Sequence, residues 1–163
     1  MILRVVSAAD DLATLGRIVV AAYLTLEHKP ALDYQEKLAD VASRAAIAPV
    51  VAAFTDDGAA LGCVTYVPAS SHPLSEHTDP EAGSFRMLGV APAARGRGVG
   101  RALVAWCVER ARADGRKRVV IHSTPSMHAA HALYARFGFV RAPGLDWQPV
   151  PSVSLLGFVL ALR

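Results

Sequence analysis

Between Met87 and Leu103 the chain reads M-L-G-V-A-P-A-A-R-G-R-G-V-G-R-A-L, and the residue types in it suit an anion. Gly96, Gly98 and Gly100 lack a Cβ, so their backbone can approach a ligand closely and adopt positive φ. Leu103, Val104, Cys107 and Val108 follow at helical spacing, so the turn opens a helix near Val99. The first N–H groups of a helix have no internal acceptor, and the helix dipole is positive at that end. Arg95, Arg97 and Arg101 add full charges around the same mouth. A phosphate is the ligand such a turn is built to hold. Two familiar phosphate loops do not fit. A dinucleotide-binding G-x-G-x-x-G would need glycine where Arg101 stands, and a Walker A loop needs a Gly-Lys pair that the chain lacks.

The turn needs a strand before it and a helix after it, and the periodicity supplies both. Phe85 to Val90 reads as a strand, and a helix runs from about Val99 to Ala113, where Asp114-Gly115 signals its end. Upstream, Ile2 to Val6 is a strand. Ser7 and Asp10 have capping-box spacing for a helix reaching about Leu26. A second helix is expected from Asp33 to Ala45, with Tyr34, Leu38 and Val41 inward and Asp40 and Arg44 outward. Pro49 to Phe54 and Leu61 to Val67 form a hairpin around an Asp-Gly turn. Ala69 to Ser84 reads as a polar loop. Downstream, Arg118 to His122 is an apolar strand, and Thr124-Pro125 reads as the start of a helix that Gly138 closes. Phe139 to Arg141 is a strand, Asp146 to Val153 a loop, and Ser154 to Leu162 a final strand. The strand–turn–helix–strand portion makes a right-handed parallel crossover, while the flanking strands pair as hairpins.

Two motifs within this order resemble the GNAT superfamily of acyl-CoA-dependent N-acyltransferases. Arg95-x-x-Gly98-x-Gly100 is similar to its pyrophosphate loop. Ala130, Leu133, Tyr134, Gly138 and Phe139 are similar to its last-helix signature, with Met127 where the family has a cofactor-binding Asn. The resemblance extends over nearly the whole chain. It implies a single domain over residues 1–163, of α/β (α+β) class, with a mixed sheet of about seven strands and about four helices. The fourth and fifth strands would be splayed. It implies acetyl-CoA as acyl donor and direct attack by a primary amine. Gly96 to Gly100, including Val99, with Arg95, Arg97 and Arg101, would hold the diphosphate. A bulge at Gly89 would free the Leu88 and Val90 backbones for the acyl-pantetheine arm and the thioester carbonyl. Tyr134 is then the acid for the departing sulfur and Glu81 the candidate base, with His72, His77 and His122 as other possible bases. The acceptor, a small-molecule or peptide amine, would meet Tyr23 to Tyr34 and the loop from Leu145, where Asp33, Glu36, Asp146 and Trp147 lie. A silent acyl-CoA-binding module of the same fold is the alternative.

Composition narrows the classes. An apolar fraction of 53% with 19% charged residues indicates a folded core. No apolar run reaches the ~20 residues that span a bilayer. The N-terminus lacks signal-peptide order, so a cytoplasmic chain with no membrane partner is expected. A net charge of +3 fits a polyanionic small ligand as well as it fits nucleic acid. The basic run from Arg110 to Arg118 has no interleaved aromatics and reads as a solvated face, not a nucleic-acid surface. Cys63 and Cys107 lack zinc-site spacing, so no metal is expected and both read as packing residues. A homodimer is compatible with this reading.

Overall fold

The computed structural model describes residues 1–163 and contains eight strands and five α-helices. The strands are β1 (Ile2–Val5), β2 (Val50–Phe54), β3 (Ala60–Val67), β4 (Ala82–Val90), β5 (Arg118–Ser123), β6 (Val140–Arg141), β7 (Trp147–Val150) and β8 (Val153–Ala161). The helices are α1 (Leu12–Tyr23), α2 (Leu32–Ala39), α3 (Val41–Ala45), α4 (Val99–Ala113) and α5 (His128–Phe137). The strand path is β1-β2-β3-β4-β5-β8-β6, with β7 pairing β8. The β4–β5 pair is parallel and the β2–β3 and β5–β8 pairs are antiparallel, so the sheet is mixed as expected. Chain contacts divide into two compact units. One is Met1–Tyr66 with Met87–Trp106, the other Val67–Arg86 with Cys107–Arg163.

In the first unit, β1 and β2 pair antiparallel, as do β2 and β3, around the Asp57-Gly58 turn, where Gly58 takes φ 91°. The core gathers Val6, Leu15, Val19, Leu38, Val41, Val50, Ala52, Cys63 and Met87. Burial of this kind is worth roughly 1.5–3 kcal/mol per large aliphatic side chain. The capping box forms only in part. Asp10 accepts the Ser7 N–H at 2.8 Å, but α1 starts later, with Asp11 as the residue that accepts the Thr14 N–H at 3.0 Å. The expected helix from Asp33 to Ala45 is two helices. Asp40 leaves helical geometry at ψ 65° and accepts the Ser43 N–H at 3.1 Å, so local capping outcompetes continuation. That break exposes helix-end carbonyls, and Arg44 fills the need. It is 5% exposed, not outward as expected, and its guanidinium donates to Leu38 O at 3.0 Å and to Thr65 Oγ1 at 3.1 Å.

In the second unit, β5 pairs β8 along its whole length, from Arg118↔Ala161 to Ser123↔Leu156. The β4–β5 ladder holds two rungs, Ala82↔Arg118 and Gly83↔Val119. From Ser84 to Arg86 and from Val120 to Ser123 the two strands run on without pairing to each other, which is the splay expected. β4 therefore begins at Ala82, earlier than the expected Phe85, because those rungs recruit Ala82 and Gly83 out of the polar loop. The expected loop from Asp146 to Val153 contains β7, whose Pro149 is tolerated at an edge. α5 starts at His128, after a turn in which Met127 N–H bonds Thr124 O at 3.2 Å. Thr124-Pro125 is thus a turn and not the helix start. Gly138 closes α5 at φ 96°, with Phe139 N–H returning to Tyr134 O at 3.1 Å.

Candidate active site

The glycine turn belongs to the first unit. After β4, a 3₁₀ turn at Pro92–Ala94 leads into Arg95, and Gly96 and Gly98 take φ 75° and 80°, values only glycine adopts without strain. A Cβ at either would meet nothing within 4 Å, so the glycines serve backbone conformation and leave open space above the turn. Val99 is buried and anchors the first turn of α4, while Arg97, Gly98 and Arg101 are exposed. The three arginines are not equivalent. Arg95 donates to Thr25 Oγ1 at 2.6 Å and ties the turn to the end of α1, whereas Arg97 and Arg101 stand free to meet a ligand.

The distortion expected at Gly89 sits two residues earlier. Met87 takes φ 55°, the left-handed region in which a non-glycine residue is strained, and it is 7% exposed. Gly89 serves close packing instead. A Cβ there would lie 2.8 Å from Val19 Cα of α1. Leu88 and Val90 alternate with these two and are half-buried. The sequence held no signal for Met87, because methionine carries no preference for that backbone region.

Tyr134 lies in the second unit, on α5. Its ring packs against Phe85 at 5.9 Å, Phe139 at 5.7 Å and Phe158 at 6.0 Å between centroids, and the residue is 5% exposed. Burial, with Cys107 adding to it, pushes its phenol well above the ordinary range. The hydroxyl therefore keeps its proton at neutral pH. Met127, in place of the family's Asn, is the residue before α5. Its Sδ lies 3.2 Å from Ser123 Oγ, which also meets His131 Nε2 at 3.0 Å. Neither contact was foreseen, since they join β5 to α5 across a turn.

Glu81, the candidate base, is engaged by two cations. Its carboxylate pairs with Lys117 Nζ at 2.7 Å and Arg118 at 3.2 Å, and these partners lower its pKa. It precedes the two closed rungs of the ladder, about 13 Å of strand from Phe85. Two cations and a closed ladder make Glu81 an ion-pair residue. Asp146, expected to attract an amine, is held by Arg141 at 2.8 Å and by the Gly157 N–H at 2.8 Å, and Arg141 brings it down to about 2. Trp147 stands edge-on to His122 with centroids 6.5 Å apart. In the first unit, Tyr23 and Tyr34 lie 6.4 Å apart, and an open groove of about 580 Å³ between α1 and α2 carries Leu32, Glu36 and Arg17. Both cysteines are buried. Burial pushes Cys63 up to about 12 and Cys107 higher still, so neither is a thiolate at neutral pH.

The comparisons with known proteins agree with this fold. Solved structures match over nearly the full chain. They include yncA from Salmonella typhimurium with its cofactor acetyl-CoA, at 22% identity and TM-score 0.68 over 100% of this chain and 94% of that one. They also include a ribosomal-protein-alanine N-acetyltransferase from Brucella melitensis, at 23% identity and TM-score 0.68 over 99% and 100% of the two chains. An acetyltransferase of the GNAT family from Staphylococcus aureus Mu50 reaches TM-score 0.75 at 11% identity, over 99% and 100%. At such identities the likeness establishes the fold. No curated protein matches the chain. The family model for GNAT acetyltransferases matches residues 14–139, which include both the glycine turn and Tyr134, and the chain belongs to the acetyltransferase (GNAT) family.

Proposed function

We propose that the protein transfers an acetyl group from acetyl-CoA to a primary amine by direct attack. The observation that carries this reading is the turn at Gly96 and Gly98, left-handed at both glycines and opening α4 with Arg97 and Arg101 unpaired. Those amides and charges suit a diphosphate. The acyl-pantetheine arm adds to β4 as a strand would, at the Leu88 and Val90 backbones, and a main-chain N–H there polarises the thioester carbonyl. Tyr134 supplies the proton that the sulfur takes as the C–S bond breaks. Direct attack suits a chain whose cysteines are inert thiols.

Met127 favours a second reading, a silent acyl-CoA module, because it replaces a hydrogen-bonding side chain with a thioether. The two readings part in one assay. Release of CoA thiol from acetyl-CoA, followed over a panel of primary amines, should rise above the rate without amine for at least one acceptor. Tight acetyl-CoA binding with no release over the whole panel would establish the silent module instead.

A further inference from the structure

We propose that the segment from Ala69 to Glu81 is an acid-released strap, tied to β4 and β5 and kept closed by the neutral ring of His77. The inference is independent of the transfer reading above.

Pro73, Pro80 and a run of short polar side chains keep this segment out of helix and sheet, so its amides need acceptors of another kind. Side chains supply them at a fixed offset. Leu74 N–H donates to His72 Nδ1 at 3.1 Å, and His77 N–H to Ser75 Oγ at 3.2 Å. Asp79 N–H donates to His77 Nδ1 at 3.2 Å, and Glu81 N–H to Asp79 Oδ1 at 2.9 Å. Each acceptor takes the amide two residues ahead and closes a turn. Two clasps tie the turns to the strands. Arg86 of β4 pairs with Glu76 at 2.9 Å and donates to Leu74 O at 3.2 Å. Arg118 of β5 takes the Asp79 carboxylate at 2.6 Å.

Two of the four acceptors are imidazole nitrogens, and protonation turns such a nitrogen from acceptor into donor. His77 is the sensitive one because it is buried, at 8% exposed. With Nδ1 accepting from Asp79, the proton of the neutral ring sits on Nε2, an atom buried without a partner. A second proton would set Nδ1–H against the Asp79 N–H and leave a cation where no acceptor meets Nε2. Burial is the main cause that lowers the His77 pKa; the charge of Asp79 opposes it and that of His122 on β5 adds to it. Asp79 is already taken by Arg118, and Glu76 by Arg86. An opened strap leaves the ring to titrate at the ordinary value of about 6.5. Between that value and the lower one of the closed strap, the open form holds a proton that the closed form lacks. Closure is therefore strongest above about pH 6.5 and weakens as the pH falls below it. Opening carries Asp79 and Glu76 away from Arg118 and Arg86, so β4 and β5 lose both clasps at once.

The test is amide hydrogen exchange on the intact protein at about pH 7.5 and about pH 5.5, with intrinsic exchange rates divided out. Protection of the His77, Asp79 and Glu81 amides should fall at the lower pH by at least about threefold, and by no more than about tenfold per pH unit, the limit for one linked proton. Protection in the β5–β8 ladder should hold, which separates release of the strap from global unfolding. His77→Asn keeps an acceptor for the Asp79 amide but cannot titrate, so its strap should stay protected at both pH values. Nitrogen-15 spectra of the wild type should show His77 Nδ1 without a proton at the higher pH. Strap protection that is equal at the two pH values overturns the proposal. So does an Nδ1–H tautomer of His77, or an acid loss that survives in His77→Asn. Should that variant fail to fold, the wild-type exchange and tautomer decide alone.

Discussion

The glycine turn and the aromatic pocket of Tyr134 are built by opposite means. The turn is exposed, made of backbone, and local: six consecutive residues and the first turn of α4 hold all of its parts. The pocket is buried and made of side chains from β4, α5, the segment after it, and β8, meeting at 5.7–6.0 Å. An anion already carries its charge and needs only donors, which a helix end provides. A proton donor needs a set pKa, which only burial and neighbours provide. A substitution in the turn should therefore act on cofactor affinity, and one in the pocket on turnover.

The sharpest break of this contrast is Gly98→Glu. It places a Cβ at φ 80° and a negative charge beside the diphosphate, and should weaken acetyl-CoA binding by about 10²-fold or more, about 2.7 kcal/mol. Titration calorimetry reads it, and normal affinity would remove the turn from the site. Tyr134→Phe should do the reverse. It should lower kcat by about 10²-fold with acetyl-CoA affinity nearly unchanged, and equal turnover would end its role as acid. Away from both regions, Arg44→Met should lower stability by about 3 kcal/mol in urea unfolding, because the guanidinium leaves Leu38 O and Thr65 Oγ1 unpaired. A loss under about 0.5 kcal/mol would mean that those groups find other partners. The smallest effect is on acid stability. Arg118 holds Asp79 down to about 2, below the ~3.9 of an unfolded chain. A depressed folded pKa contributes stability that is complete above pH ~4 and lost as pH falls toward 2. Asp79→Asn should flatten that part of the stability curve, and an unchanged slope would show that the ion pair adds nothing.

The same contrast explains what could be read from residues alone. The turn, the end of α4 at Gly115 and the close of α5 at Gly138 were legible because glycine marks left-handed backbone wherever it falls. The strand–turn–helix order followed from period alone. The break at Asp40 was not legible, because Asp is tolerated within a helix until Ser43 offers it two donors. Nor was Arg44, whose burial depends on carbonyls freed by that break. The ion pairs of Glu81 were not legible either, because Lys117 and Arg118 arrive through the β4–β5 pairing, which sequence spacing does not encode. The left-handed Met87 and the unpartnered His77 nitrogen are likewise products of packing.

The central claim is that exposed amides and free arginines at one turn grip the donor by its diphosphate. Parallel titrations of the wild-type protein with acetyl-CoA and with acetyl-pantetheine, which carries the thioester but no diphosphate, address it directly. Saturable heat with acetyl-CoA and at least about 10²-fold weaker binding of acetyl-pantetheine is the predicted result. Equal affinity for the two, or no heat with either, would contradict it.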